Sequence, residues 1–260
     1  MCLLSIITVV LNDRENFIST RRNLAGQNTQ DFEWIVVDGG STDGTQEAVR
    51  ESSHPKLRYL SEHDSGIFDA MNKGIALARG EYLLFLNAGD RLASNSTLAD
   101  LSKILREPGR AIDFLYGDAL EESETGVVTL KPARSHRTLW YGMFTHHQAM
   151  VYRCSLASDQ MYDPGFRIAG DYDFTVRVLR RACEIRRCDF PLCVFKKGGV
   201  SERRQGLGRM ENFRIQTERL HLNFLVAIGI RLLYLVAAGV RATAPRVYSL
   251  VRHRSARKFQ

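Results

Sequence analysis

The run Trp34-Ile35-Val36-Val37 stops at Asp38 and is followed by Gly39-Gly40-Ser41-Thr42-Asp43-Gly44-Thr45. A carboxylate at such a strand end can accept a hydrogen bond from a nucleobase imide N–H or from ribose hydroxyls, and the paired glycines let a ligand approach the backbone closely. Taken alone, the same pattern also fits an ordinary strand, turn and capped helix. A second polar end, Asn87-Ala88-Gly89-Asp90, follows the apolar run Tyr82 to Leu86 and supplies another carboxylate. Asp171 and Asp173 supply two more. Either could take a proton from an attacking hydroxyl, although acids in a first helical turn also complement the helix dipole. Asp64, Asn72 and Lys73 lie between these groups; the lysine could neutralise a diphosphate that the amide positions. His146 and His147 are adjacent, and on a strand adjacent side chains point to opposite faces, which argues against a shared metal.

These groups need elements to hold them. Strand signals at residues 3–10, 34–37, 57–60 and 82–86 alternate with helical stretches at 14–27, 45–51 and 67–78. Such alternation predicts an α/β fold with a mixed, mostly parallel sheet and helices on both faces. Ligands of such sheets bind beyond the carboxyl ends of the strands, so Asp38 and Asp90 should face one rim. Farther along, the pattern predicts a helix at 98–105, strands at 114–116 and 126–130, and a loop at 140–144. A helix at 168–179 and a strand at 188–195 follow, ahead of a basic glycine loop, Lys196 to Ser201, that reads as a mobile flap or a solvated turn.

With 44% hydrophobic residues in 260, the chain can bury a sizeable core. Its net charge of +7 is unevenly placed: residues 219–260 carry seven arginines, one lysine and no carboxylate, so residues 1–218 carry −1. That weighs against a nucleic-acid-binding main domain and moves the charge question to the tail. Five cysteines, odd in number and without a Cys-x-x-Cys pair, point to reduced thiols and a cytosolic setting. The N-terminus has no positive n-region and reads as a first core strand. The tail from His221 to Val240 is apolar on nearly every face but interrupted by Arg231, with a break at Pro245. A spanning helix needs roughly 20 apolar residues with few charges. A basic helix lying in the surface of an anionic inner membrane is therefore expected, with packing on the main domain or a partner subunit as the alternative. The expected division is a catalytic domain over residues 1–218 and a membrane-associating tail over 219–260.

Several motifs in order carry a resemblance. Ser5-Ile6-Ile7-Thr8-Val9, Glu33 to Thr45, Asp64-Ser65-Gly66-Ile67-Phe68-Asp69-Ala70-Met71-Asn72-Lys73-Gly74, Phe85 to Asp90, His147-Gln148 and Asp171-Tyr172-Asp173 resemble the motifs of inverting nucleotide-sugar glycosyltransferases of the GT-A fold. The run from Asp64 to Gly74 is most similar to exopolysaccharide enzymes of the colanic-acid type. The resemblance implies a Rossmann-like, nucleotide-diphospho-sugar transferase domain using a UDP- or GDP-sugar. Thr8 and Asp38 would hold base and ribose, with Asp64, Asn72, Lys73, Asn87 and His147 on the donor side. Asp90 matches the metal end of an Asp-x-Asp motif and would take Mg2+ or Mn2+. This chain has Gly89 and a single acid there, so position 89 offers no carboxylate to the ribose. Asp171 matches the catalytic base, in preference to Asp173. The acceptor implied is a hydroxyl of a lipid-linked saccharide at the cytoplasmic face of the inner membrane, and a homo-oligomer is compatible with the sequence. The alternatives are transfer to polyprenyl phosphate and a non-catalytic saccharide-binding or scaffold subunit of the same fold.

Overall fold

Along β1 (Leu4–Val10), Leu4, Ile6 and Val10 pack into one hydrophobic cluster while Ile7 and Val9 pack into another. The same alternation divides Trp34 and Val36 from Ile35 and Val37 in β2 (Glu33–Asp38), and Tyr82 and Leu84 from Leu83 and Phe85 in β4 (Tyr82–Phe85). Successive strand side chains point to opposite faces, so a continuous apolar run means a sheet covered on both sides. The computed structural model describes residues 2–198 and 204–243 and shows that arrangement. On one face lie α1 (Arg14–Ala25), α2 (Thr45–Arg50) and α4 (Thr97–Leu105), which contribute Phe17, Leu24, Val49 and Leu101. On the other lie α3 (Ile67–Leu77), α5 (Cys154–Gln160) and α6 (Gly170–Leu179), with Phe68, Met71, Ala157 and Phe174.

The remaining strands are β3 (Leu57–Ser61), β5 (Arg91–Leu92), β6 (Phe114–Glu122), β7 (Val128–Lys131), β8 (Met150–Arg153) and β9 (Ile185–Lys196). Their order is β3-β2-β1-β4-β8-β6-β9-β5, with β7 paired to β6. The β3-β2-β1-β4 half is parallel; β8 pairs antiparallel with both β4 and β6, and the sheet is mixed.

Two expectations need correcting. The strand expected at 114–116 continues to Glu122, because Gly117-Asp118, which look like a turn, instead form an irregularity in the pairing with β9. His147 to Ala149 form one turn of 3-10 helix, preceded by another at His136–Tyr141, so His146 and His147 do not alternate as on a strand. The loop beyond Gly198 to Ser201, Pro245 and the basic end of the tail lie outside the described residues.

The C-terminal elements pack on the domain. In α7 (Gln205–Arg214) the carboxylate of Glu211 accepts the backbone N–H groups of Arg167, Ile168 and Ala169 at 2.6–2.8 Å, fixing the chain that enters α6. A π-helical turn, Ile215–Arg219, straddles the expected 218/219 boundary, and Arg219 reaches Asp163 and Asp173. It leads into α8 (Phe224–Thr243), whose Tyr234 stacks on Tyr141 and donates to the Tyr141 carbonyl. Among the described residues, no helix is long and apolar enough to cross a membrane.

Candidate active site

From β1 the chain crosses to β2 on one side, whereas β4 pairs with β1 on the other. The carboxyl ends of β1 and β4 therefore border a crevice at a topological switch point, where open α/β sheets bind ligands. A cavity of 2330 Å³ opens there, bounded by Val10 and Leu11 at the end of β1, Asn87 to Asp90 after β4, and the start of α6.

Four of the expected site residues meet in it: Asn87, Asp90, His147 and Asp171. Their positions follow from one short turn. Gln148 donates its Nε2–H to Asp90 Oδ2 at 2.6 Å, and His147 Nδ1 lies 3.0 Å from Asp171 Oδ2. Two adjacent residues thus tie the acid at the end of β4 to the acid at the start of α6. Burial raises the Asp90 carboxyl to about 6, against the opposing hydrogen bond from Gln148 and the charge of His147. Burial would lower His147, but the Asp171 carboxylate, with Asp90 behind it, raises it overall.

The polar atoms left over are as informative as those paired. Asn87 Oδ1, Gln148 Oε1, His147 Nε2 and Asp171 Oδ1 are buried and have no hydrogen-bond partner. Leaving such an atom unsatisfied costs about 1–3 kcal/mol, and all four belong to residues that line one cavity. They are suited to a polar ligand. Tyr162, stacked between Phe68 and Phe174, is pushed well above its ordinary range by burial and by the neighbouring Asp171 charge.

Asp173 is fully buried and held by Arg177 and Arg219, each at 2.8 Å, so it serves packing. Asp171, not Asp173, faces the cavity. The start of α6 also explains Gly170: a Cβ there would come within 2.5–2.8 Å of the Phe68 ring. Gly170→Ala is expected to destabilise the fold by about 1–3 kcal/mol through overpacking and to lower turnover by displacing Asp171. An unchanged melting temperature would show that Phe68 yields freely.

The other expected contacts stand outside the cavity lining, each for a visible reason. The Thr8 hydroxyl donates to the Leu86 carbonyl and accepts from Trp34 Nε1, and its residue is fully buried. Asp38 is also fully buried, its oxygens accepting from Ser41, Ser61 and Tyr59. Asp64 accepts from Gly66 N and closes over Gly39, where a Cβ would meet its Oδ2 at 2.5 Å. Asn72 exchanges two hydrogen bonds with the Tyr162 backbone, and Lys73 is engaged with Glu62 and the His63 carbonyl. In this structure these five do not line the cavity.

His146 is structural: stacked on Phe195 at 4.2 Å and lowered to about 4 by burial, it lies 3.1 Å from Glu121. Glu121 also receives Lys197 at 2.8 Å. Sequence reasoning passed over Gln148, Tyr162 and the cavity wall formed by α7 and α8. Gln148 stood inside the quoted His147-Gln148 motif; for the wall, the helical spacing of Ile230, Tyr234 and Ala237 was the available signal.

The raised His147 has a pH consequence. Its pair with Asp171 contributes fully below the ordinary value of 6.5 and is lost as pH rises through the raised value. The melting-temperature deficit of His147→Gln is therefore expected to be largest on the acid side of that window and to shrink in alkali; a pH-independent deficit would contradict a charged pair.

The two-faced sheet and a cavity joining two carboxylates at its switch point define a GT-A-type glycosyltransferase. The chain belongs to glycosyl transferase family 2, whose family model matches residues 5–161. It is 32% identical over 193 residues to a PGL/p-HBAD biosynthesis glycosyltransferase of Mycobacterium bovis, covering 71% of this chain and 73% of that one. It is similar in fold to S. aureus TarS 1-349 in complex with UDP-GlcNAc, with a TM-score of 0.66 and 20% identity over 95% of this chain and 75% of that one. It also resembles the mannosyltransferase PcManGT from Pyrobaculum calidifontis in complex with GDP-Man and Mn2+, with a TM-score of 0.61 and 18% identity, covering 95% and 77% of the two chains.

Proposed function

We propose that the chain transfers a sugar from a nucleoside diphosphate sugar to a hydroxyl of a lipid-linked saccharide, with inversion, in exopolysaccharide-type assembly at the cytoplasmic face of the membrane. The observation that carries the reaction is Asp171: it lines the cavity at the start of α6, and its Oδ2 is held 3.0 Å from His147 Nδ1. A sugar hydroxyl is a weak nucleophile until a positioned base takes its proton. The Asp171 carboxylate accepts that proton as the acceptor oxygen bonds to the anomeric carbon and the nucleoside diphosphate leaves from the opposite side. His147 orients the carboxylate and offsets its charge. No second carboxylate is needed as a covalent nucleophile. Among the cavity-lining acids, Glu121 is engaged by His146 and Lys197, and Asp13 accepts from Asn16.

The residues present fit a hard divalent ion. Among the described residues no three His, Cys, Asp or Glu side chains gather into a metal cage, but such an ion takes one or two carboxylates and fills the rest of its shell with phosphates and water. Asp90 would hold it, and the unpartnered oxygens of Asn87 and Gln148 supply further hard donors nearby. When bound, the ion would neutralise charge on the departing diphosphate. Structural neighbours crystallised with GDP-Man and Mn2+ and with UDP and Mn2+ support both the donor class and the metal. The outward apolar face of α8 supports the membrane location.

A thermal-shift panel of uridine and guanosine diphosphate sugars, with and without Mn2+ or Mg2+, tests this reading. A specific, metal-enhanced rise in melting temperature is expected, because ligands that bind only the folded state stabilise it by mass action. No shift with any donor would contradict it.

A further inference from the structure

The cavity, 2330 Å³ in volume, extends from the strand ends to the C-terminal helices. The wall away from the sheet is built by α7 and α8, with the segments around residues 134 and 167 beside them. Arg134, Arg167, Arg209 and Arg231 line it. Arg214 and Arg219, in the same C-terminal stretch, pair with Glu218, Asp163 and Asp173, whereas among the described residues those four pair with no carboxylate. The one carboxylate of α7, Glu211, is taken up by three backbone N–H groups ahead of α6. Arg134 donates to the Met143 carbonyl and lies over the Tyr141 ring, and Arg231 lies over Phe213; guanidinium groups with no carboxylate beside them in a concave wall call for an anion, and their planar forks match phosphate oxygens.

The chemistry of α8 identifies the anion's carrier. Ile230, Arg231, Tyr234, Ala237 and Ala238 recur at helical spacing and line the cavity. The opposite side exposes Leu225 by 75%, Leu233 by 59% and Val236 by 63%, an apolar stripe that no described residue covers. One helix thus contributes an exposed arginine to the cavity wall and bares aliphatic side chains on its opposite side, which suits a ligand with a charged head and a hydrocarbon tail.

We propose that Arg134, Arg209 and Arg231 form a phosphate subsite for the acceptor, which holds the pyrophosphate of a lipid-linked saccharide while its hydrocarbon chain leaves along the outer face of α8. The subsite rests on the sugar-transfer reading above and names the acceptor class for that site. It binds the acceptor at a group remote from the reacting hydroxyl and carries no chemical step.

The test is flotation of the full chain with phosphatidylcholine vesicles containing polyprenyl diphosphate, the corresponding polyprenol, or phosphatidylglycerol at matched charge. Wild type is expected to bind the diphosphate vesicles about tenfold or more better than the other two. The Arg209→Gln/Arg231→Gln double variant should lose that preference and keep the nucleotide-sugar thermal shift. Equal binding to phosphatidylglycerol or polyprenol vesicles would overturn the subsite, as would a double variant that keeps the preference. A double variant that loses the nucleotide-sugar shift would also overturn it, by moving these arginines to the donor. Absence of any nucleotide-sugar shift in wild type would instead strike the sugar-transfer reading, and the vesicle comparison would still decide the subsite.

Discussion

Asp171→Asn is expected to lower kcat by about 10²–10⁴-fold, the usual contribution of a positioned general base, while leaving donor affinity near that of wild type. The amide keeps the shape of the side chain, so the start of α6 and its contact with Phe68 persist, but it cannot accept the acceptor's proton. Donor affinity by calorimetry and turnover by product formation separate the two effects. An Asn variant with near-normal kcat would remove Asp171 from the base role. One that also lost donor binding would show that the carboxylate belongs to the nucleotide end.

Asp90→Asn is expected to abolish metal-enhanced donor binding and, in the presence of chelator, to stabilise the protein at neutral pH. Burial moves this carboxyl from 3.8 to about 6. The sign follows from linkage: the unfolded chain ionises Asp90 near 3.8 and the folded chain only near 6, so stability falls as pH rises through that window and stays lower above it. A shift of about two units corresponds to about 3 kcal/mol. An amide at position 90 escapes that penalty and can still accept from Gln148. Melting curves of wild type and variant should diverge above the window and converge below 3.8. Equal stability at neutral pH would show that Asp90 ionises without cost. Unchanged donor binding with and without chelator would remove the metal from it.

The contrast between those two acids and the five expected contacts that stand outside the cavity shows how far sequence reaches. Strand and helix positions up to Phe85 follow from hydrophobic period and turn residues, and the structure reproduces them within a few residues. Asp90 and Asp171 were singled out by the motifs they match, since an acid at a strand end or in a first helical turn also fits an ordinary turn or the helix dipole. For Thr8, Asp38 and Asn72 the sequence does not distinguish a ligand partner from a protein one, since a buried hydroxyl, carboxylate or amide has the same sequence signature in either case. Only the geometry shows Asn72 paired with Tyr162 and Asp38 with Ser41 and Ser61. The wall from α7 and α8 escaped for a different reason. The helical spacing of Ile230, Tyr234 and Ala237 marks a face, but where that face docks depends on long-range contacts, Glu211 to residues 167–169 and Tyr234 to Tyr141.

Direct displacement at a single base makes one stereochemical commitment. With the donor that stabilises the protein best in the thermal-shift panel, proton NMR of the first-formed product, transferred or hydrolysed, reads its anomeric configuration before mutarotation. Inversion, a β product from an α-linked donor, is the predicted result. A retained α configuration would contradict Asp171 as the base of a one-step displacement.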